Sequence, residues 1–178
     1  AVQPQTAPDT DGAAPNRALY NRLTMAAYTA VVIYGSRWWL WGIDNEIIHA
    51  LYQRHTGPAH VDVGVGNGHF LRRAATRSAR IQRADLIDLN PAPLQVTARR
   101  LRRHIPCVTT HTADALRRWP LEDASVDSVG STMMLHTLPG TSYHDKAVVF
   151  TEAARVLRPG GVFFGTSVLG EADPAPIS

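Results

Sequence analysis

The stretch that decides the fold of this chain reads Val-Asp-Val-Gly-Val-Gly-Asn-Gly and occupies residues 61–68. It begins as a short apolar run and ends in three glycines at alternate positions, which predicts a buried parallel strand turning tightly into a helix. Glycine at such a turn tolerates positive φ and has no Cβ, so a ligand can approach bare backbone N–H groups. A nicotinamide or flavin fingerprint requires glycine or alanine where this chain has His69, which disfavours a dinucleotide. A tight strand-to-helix connection without a ligand is the alternative.

Length and composition restrict the class of protein. The 178 residues are 44% hydrophobic, which is typical of one domain with a real core. Because Cys107 is the single cysteine, no intrachain disulfide and no metal site are expected, and a reducing, cytoplasmic location fits. No segment reaches the roughly 18 consecutive apolar residues of a membrane helix, so no membrane association is expected.

The basic residues are almost all arginine. Lys146 is the only lysine among the 18 lysines and arginines, and the arginines cluster at 72–83, 99–103 and 117–118. We interpret these clusters as solvated helix faces. A nucleic-acid surface is the weaker alternative, because no aromatic side chains alternate with the arginines as single-strand stacking requires.

Four segments are expected along the chain. Residues 1–16 contain three prolines and no apolar period, which is typical of a mobile arm. Residues 17–57 carry apolar and aromatic side chains at helical spacing and are expected to form an N-terminal helical lid, whose second helix follows Asp44. Residues 58–170 are expected to form the main, ligand-binding domain. The proline-rich residues 171–178 are expected to be a loop or a cut end.

Strands and helices alternate after residue 58, which predicts an α/β fold with a doubly wound, mostly parallel sheet. Only five strands can be counted. They are expected at 59–63, 84–89, 107–111, 125–131 and 161–168, with helices at 68–78, from Pro91 and at 143–157. The helix before the first strand is expected to turn Ile43, Ile47, Ile48, Leu51 and His55 inward.

Ligands of such sheets lie at the carboxyl ends of the strands, where three carboxylates stand out. Asp88 ends the second strand, 20 residues after Gly68, where an acidic side chain can accept both hydroxyl hydrogens of a ribose; an N-cap for the helix at Pro91 is the alternative. Asp114 follows the third strand and could accept a hydrogen bond from an exocyclic amine or cap a helix. Asp62 lies inside the first strand, where a carboxylate is costly unless backbone donors or a cationic ligand satisfy it.

Five motifs follow one another at regular positions. They are Val-Asp-Val-Gly-Val-Gly-Asn-Gly at 61–68, Leu-Ile-Asp-Leu-Asn-Pro at 86–91, Ala-Asp-Ala at 113–115, Ser-Val-Asp-Ser-Val at 125–129, and Glu-Ala-Ala-Arg-Val-Leu-Arg-Pro-Gly-Gly at 152–161. Together they resemble the ordered motifs of class I S-adenosylmethionine-dependent methyltransferases. The resemblance implies a Rossmann-like sheet, S-adenosylmethionine as the cofactor and S-adenosylhomocysteine as its product. Members of that family usually continue after strand five with a helix and an antiparallel strand pair, so either further residues follow or the domain is truncated.

The resemblance also implies roles for individual residues. The glycine turn would lie against the methionine part of the cofactor, Asp88 would hold the ribose, and Leu89 would pack on adenine. Asp114 would bond the adenine amine, and Gly130, Ser131 and Thr132 would line the exit of the methyl group. The cofactor-binding residues expected on this basis are Asp62, Gly64, Gly66, Gly68, Asp88, Leu89, Asn90, Ala113, Asp114, Ala115, Gly130 and Ser131.

The acceptor site is expected after the fourth strand. His136 is the candidate proton acceptor, because an imidazole titrates near neutrality; a helix-start histidine bonded to backbone is the alternative. Met133 and Met134 would form apolar walls. The aromatic stripe of the lid would surround a flat substrate, although such a stripe is also typical of ordinary core. The substrate-binding tyrosines expected in it are Tyr20, Tyr28 and Tyr34.

These observations predict a methyltransferase acting on an oxygen or carbon of a hydrophobic small molecule, such as a secondary metabolite. The chain lacks the Asn/Asp-Pro-Pro-aromatic tetrapeptide that related enzymes use to cradle an amino nitrogen. Two alternatives stay open, an RNA or protein methyltransferase and a cofactor-binding accessory protein that transfers no methyl group. The expected partner is a small-molecule substrate, and a homodimer stays open.

Overall fold

The structure is a computed structural model that describes residues 45–140 and 142–168. The predicted arm, the tyrosines Tyr20, Tyr28 and Tyr34, Ile43 and the segment 171–178 lie outside the described residues. The elements are α1 (Asn45–His55), β1 (Ala59–Val63), α2 (His69–Arg77), β2 (Arg83–Asp88), α3 (Pro91–Leu101), β3 (Cys107–Thr112), β4 (Val126–Thr132), a 3-10 turn (Leu135–Thr137), α4 (Tyr143–Val156) and β5 (Leu157–Thr166).

The five strands form one parallel sheet in the order β3-β2-β1-β4-β5. The predicted doubly wound parallel sheet is therefore confirmed. Because β1 pairs with β2 on one side and with β4 on the other, the strand order reverses beside β1. Ligands of open parallel sheets bind at such a reversal, outside the carboxyl ends of the strands.

β5 begins earlier than the sequence predicted. It starts at Leu157, which pairs with Val126, whereas the prediction placed its start at residue 161. The register with β4 shifts directly after this pair. Pro159 has no N–H to donate to the ladder, and Gly160 has a φ of 82°, so this segment forms an irregularity at the start of the strand.

Helices cover both faces of the sheet, and each face has its own apolar cluster. The first face packs against α1, α2 and α3, and the second packs against α4 and Trp119. β1 is buried along its whole length, so the polar His60 and Asp62, which alternate with its apolar residues, also lie in the interior. The buried apolar residues of the first cluster include Ile48, Tyr52, Leu71, Leu86, Leu94 and Phe164; those of the second include Val61, Val63, Ile87, Val129, Val149 and Val156.

α1 belongs to this core, although the sequence placed it in a lid. Ile48 and Tyr52, four residues apart, face the sheet and are 1% and 2% exposed. The prediction that Ile47 points inward is wrong, because its side chain is 60% exposed. Ile47 lies one position from the Ile48–Tyr52 stripe, about 100° around the helix, and so faces away from the sheet. No helix within the two described segments is long and apolar enough to cross a bilayer.

Candidate functional site

The glycine turn connects β1 to α2 in left-handed backbone conformations. Gly64, Gly66 and Gly68 have φ values of 72°, 49° and 65°. A side chain in this region costs about 1–2 kcal/mol per residue, which explains why glycine occupies these positions. Two backbone bonds fix the turn: the Gly64 N–H donates to the Ile87 carbonyl at 2.8 Å, and the Gly68 N–H donates to the Val65 carbonyl at 2.9 Å.

The three glycines differ in what lies above them. A Cβ on Gly64 would collide with the side chain of Met134, and a Cβ on Gly68 would collide with Thr97. A Cβ on Gly66 would meet no atom within 4 Å. Gly66 is therefore the point at which bare backbone is open to a ligand, while Gly64 and Gly68 are small because protein side chains pack on them.

Asp88 ends β2 beside this opening and is half-buried. Burial raises the pKa of its carboxyl group, while the backbone N–H groups of Asn90, Gly66 and Val65 oppose that shift. The Asn90 N–H donates to Asp88 Oδ1 at 2.9 Å. The alternative interpretation of Asp88 as the N-cap of α3 is wrong, because the Asn90 side chain caps that helix by accepting the Ala92 N–H at 3.0 Å. Asp88 therefore points its charge at the glycine turn rather than at the helix.

The segments after β2 and β3 provide an apolar surface and a second carboxylate. Leu89 is 72% exposed, so its side chain offers apolar area that the described residues leave uncovered. Asp114 accepts the Leu116 N–H at 2.9 Å, which makes it the cap of a short turn and not of a helix. The Ala113 N–H donates to the Asp88 carbonyl at 3.1 Å and holds the two segments together. Ala113 and Ala115 pack at the edge of the second cluster.

Asp62 lies near the carboxyl end of β1, on the face covered by α1, and is 3% exposed. The Tyr52 hydroxyl donates to Asp62 Oδ1 at 2.9 Å. Burial raises the pKa of Asp62 to about 7, the Tyr52 hydrogen bond lowers it, and the charge of Asp88 raises it. Tyr52 was not among the site residues predicted from the sequence. The signal that could have found it is the need of a carboxylate inside a buried strand for a donor from the neighbouring helix.

The end of β4 contributes residues to both faces of the sheet. Gly130 lies opposite Asp62, and a Cβ on Gly130 would lie 3.3 Å from Asp62 Oδ1. Ser131 points to the other face, because side chains alternate along a strand, and it is 1% exposed. The structure therefore brings Gly130 to the candidate site and places the Ser131 side chain away from Asp62.

The two methionines after β4 have different environments. Met133 is partly exposed and has a φ of 56°, a conformation that non-glycine residues rarely adopt outside special sites. Met134 is 7% exposed and packs above Gly64 in the second cluster. This placement does not support the predicted contact of Met134 with an acceptor, whereas Met133 retains surface for one.

His136 lies in the 3-10 turn that follows and is exposed. Partial burial, and then the charge of Lys146, lower the pKa of its imidazole below the usual value. The ring is therefore neutral at pH 7 and able to accept a proton.

The residues at the strand reversal fit a nucleoside with an amino-acid tail. Gly66 leaves a cradle of open backbone, Asp88 supplies a carboxylate beside it, and Leu89 supplies an apolar surface. Asp62 supplies a buried carboxylate that lacks a cationic partner among the described residues. Hydroxyl, apolar and cationic groups of one ligand can all be satisfied at this end of the sheet.

Comparison with known proteins identifies the family. A family described as a methyltransferase domain matches residues 61–165. The demethylluteothin O-methyltransferase of Streptomyces thioluteus is 37% identical over 155 residues, which cover 87% of this chain and 66% of that protein. A physcion biosynthesis cluster O-methyltransferase of Aspergillus chevalieri is 30% identical over 156 residues, covering 86% of this chain and 68% of that protein. The solved structure of a SAM dependent methyltransferase from Aquifex aeolicus superimposes with a TM-score of 0.61 at 18% identity, covering 88% of this chain and 78% of the other.

This chain spans about two thirds of the length of these curated relatives. The structural match shows the fold, and the family match covers more than half of the chain. The prediction made from the five ordered motifs is confirmed. The chain belongs to the class I S-adenosylmethionine-dependent methyltransferase family, and its cofactor is S-adenosylmethionine.

Proposed function

We propose that this protein transfers a methyl group from S-adenosylmethionine to a hydroxyl oxygen of a hydrophobic small molecule, a secondary metabolite. The observation that carries the proposal is the open backbone at Gly66, beside the carboxylate of Asp88. The acceptor class rests on the two relatives, both of which are named as O-methyltransferases.

The residues at the strand ends would hold the cofactor by three kinds of contact. Asp88 accepts hydrogen bonds from the ribose hydroxyls, and Leu89 packs on the adenine ring. Asp114 accepts a hydrogen bond from the adenine amine. Asp62 faces the amino-acid end, where its charge meets the α-ammonium. When bound, the cofactor would supply a methyl group activated by its sulfonium, and the leaving group would be the neutral thioether of S-adenosylhomocysteine.

The chain's own contribution to the transfer is positioning and proton removal. Holding the acceptor oxygen in line with the methyl group replaces a bimolecular encounter by a near-attack geometry. His136, neutral at pH 7, accepts the hydroxyl proton as the oxygen becomes the nucleophile. Met133 supplies an apolar wall that excludes water from the acceptor.

The arginines support a small-molecule acceptor over RNA. Several of them form ion pairs with carboxylates of this chain, so these guanidinium groups already have anionic partners. A phosphate-binding surface needs arginines that are available to phosphates. The arginines paired in this way are Arg73 with Glu46, Arg83 with Asp85, Arg155 with Glu152, and Arg158 with Asp127.

The test is a methyl-transfer assay with carbon-13-labelled S-adenosylmethionine and a panel of acceptors that carry aryl or enol hydroxyl groups, demethylluteothin among them. We expect the label to appear on an acceptor oxygen by mass spectrometry and NMR. The His136→Gln variant should reduce kcat at pH 7 by about 100-fold while leaving the affinity for S-adenosylhomocysteine unchanged.

Other results would favour the alternatives. Labelled RNA or protein, with salt-sensitive binding, would replace the small-molecule acceptor. Binding of S-adenosylhomocysteine without transfer to any acceptor would favour the accessory protein.

A further inference from the structure

We propose that Tyr52 is a positioning residue for cofactor binding, whose hydroxyl orients the buried Asp62 carboxylate toward the amino-acid end of the cofactor. The inference rests on the proposed function and adds to it a residue from the helix that precedes β1. Tyr52 itself need not touch the cofactor.

The Tyr52 ring is fixed by aromatic side chains from three elements. It stacks on Phe70 of α2 with ring centroids 5.8 Å apart and an interplanar angle of 24°. It meets Phe164 of β5 edge-on, with centroids 5.0 Å apart and an angle of 89°, and meets His60 of β1 at 6.2 Å and 70°. Because the ring is 2% exposed and held on several sides, the position of its hydroxyl is set before any ligand binds.

The hydroxyl acts only as a donor toward Asp62. Burial, and then the negative charge of Asp62, raise the pKa of Tyr52 well above its usual range and outweigh the opposing contribution of the Thr132 side chain, so the phenol stays protonated. Its bond to Asp62 Oδ1 is 2.9 Å long. Asp62 is therefore held by one fixed neutral donor.

The described residues around Asp62 supply no positive charge. The titratable groups that face it are Tyr52 from α1, His60 from its own strand and Asp88 from β2, while β4 presents Gly130. Burial lowers the pKa of His60 to about 3, so its ring is neutral. Among the described residues, no cation contributes to the pKa of Asp62. A ligand ammonium is the group this carboxylate lacks.

This arrangement links cofactor affinity to pH. Burial raises the pKa of Asp62 to about 7, and the Tyr52 hydrogen bond opposes that rise. An ammonium binds the ionised carboxylate, so affinity falls as the pH falls through the pKa of Asp62. Removal of the hydroxyl raises that pKa further and should move the midpoint of the affinity profile to higher pH.

The test is calorimetric titration of the full chain with S-adenosylhomocysteine between about pH 5.5 and 8.5. Tyr52→Phe keeps the ring contacts and removes only the hydroxyl. We expect this variant to bind about 10-fold more weakly at pH 7, because a hydrogen bond to a charged group is lost. Its affinity midpoint should shift upward by about one pH unit.

Ser128→Ala is the matched control. Ser128 is 0% exposed on the same face of the sheet, accepts the Gly57 N–H at 2.8 Å and bonds His60 Nδ1 at 2.8 Å. Its removal should lower stability in urea while leaving the affinity and its pH midpoint unchanged. A purely structural role of Tyr52 predicts the same behaviour for Tyr52→Phe.

A second pair of variants separates positioning from stability. In an Asp62→Asn background no carboxylate remains to be oriented, so adding Tyr52→Phe should cost no further affinity. Equal affinity and equal pH midpoints for Tyr52→Phe and wild type would overturn this inference alone. Failure of the wild-type chain to bind S-adenosylhomocysteine would overturn the proposed function as well.

Discussion

The two faces of β1 have opposite chemistry although both are buried. Val61 and Val63 point to the second face and pack among apolar side chains. His60 and Asp62 point to the first face, where they are 0% and 3% exposed. Burial shifts both of them toward their neutral forms, lowering the pKa of His60 and raising that of Asp62.

The apolar face of β1 stabilises the fold, whereas its polar face provides groups that can bind a ligand. Apolar side chains on the second face contribute burial energy and need no partner. A buried carboxylate costs free energy unless it is hydrogen-bonded or paired, so its presence on the first face indicates a role other than stability. Substitutions on the two faces should therefore separate folding from binding.

The largest effect is expected for Asp88→Ala. Loss of the carboxylate removes the acceptor for both ribose hydroxyls, and we expect the affinity for S-adenosylhomocysteine to fall by about 100-fold or more. Stability in urea should change by less than about 1 kcal/mol, because Asp88 is only half-buried. Asp123→Ala is the control, since this carboxylate is 68% exposed and pairs with Arg155. An unchanged affinity for Asp88→Ala would remove the ribose assignment and leave the fold intact.

A stability effect of similar size is expected on the second face. Val149 of α4 is 0% exposed, and Val149→Ala should lower the free energy of unfolding by about 2 kcal/mol, from lost burial and the cavity left behind. Its neighbour Val148 is 37% exposed, so Val148→Ala should cost less than about 0.5 kcal/mol. Neither variant should change cofactor affinity beyond twofold. Weakened binding in the folded Val149→Ala protein would contradict the separation of the two faces.

Asp62→Asn should increase stability at neutral pH while weakening cofactor binding. The pKa of Asp62 is raised in the folded chain to about 7 from an ordinary value of 3.8, so the folded state binds more protons than the unfolded state between these values. Stability from this group is therefore present at low pH and lost as the pH rises toward 7. The asparagine side chain does not ionise, so this decrease is absent in the variant. Its free energy of unfolding should exceed that of wild type by about 1 kcal/mol or more at about pH 8, and by little at about pH 4.

His60 provides an internal check on that measurement. Its pKa is lowered in the folded chain, so its contribution is lost as the pH falls from about 6.5 to about 3, the opposite direction. In wild type, between about pH 4 and 6.5, the free energy of unfolding falls with rising pH because of Asp62 and rises because of His60, so the two contributions oppose each other. Urea unfolding of Asp62→Asn in this range should show a steeper rise of stability with pH than wild type. Parallel profiles would show that Asp62 titrates normally.

The smallest effect is expected at the outer surface of the first face. Arg73 of α2 pairs with Glu46 of α1 at 2.8 Å, and the Glu46 side chain is 65% exposed. Exposed pairs contribute little, so Arg73→Ala should change the free energy of unfolding by about 0.5 kcal/mol or less, and less at high salt. Arg77→Ala, at the end of the same helix, is the comparison. A loss above about 2 kcal/mol would mean that this pair, rather than the apolar cluster beneath, holds α1 in place.

The sequence predicted the sheet and most of its boundaries because the signals are local. β1 at 59–63 combines a run of buried residues with a glycine turn, and α3 begins at a proline preceded by a capping Asn90. The start of β5 was predicted too late. Arg-Pro-Gly-Gly is a strong local signal for a break, and the pairing of Leu157 with Val126 depends on a distant strand.

Part of the site was predicted from the sequence because its signals are also local. Asp88, Leu89 and the three glycines lie in motifs that can be read along the chain. That Gly66 is the open one of these three glycines and that Met134 fills the space over Gly64 depend on residues brought together by folding.

The sequence by itself determined that parallel strands alternate with helices and that a glycine turn precedes an acidic strand end, because these features follow from spacing over a few residues. The tertiary structure alone decided which donor satisfies Asp62. The Tyr52 hydroxyl comes from a helix on the far side of a loop, and its position follows from aromatic packing between α1, α2 and β5. Local patterns fix backbone conformation, whereas the partner of a buried charge is set by long-range packing.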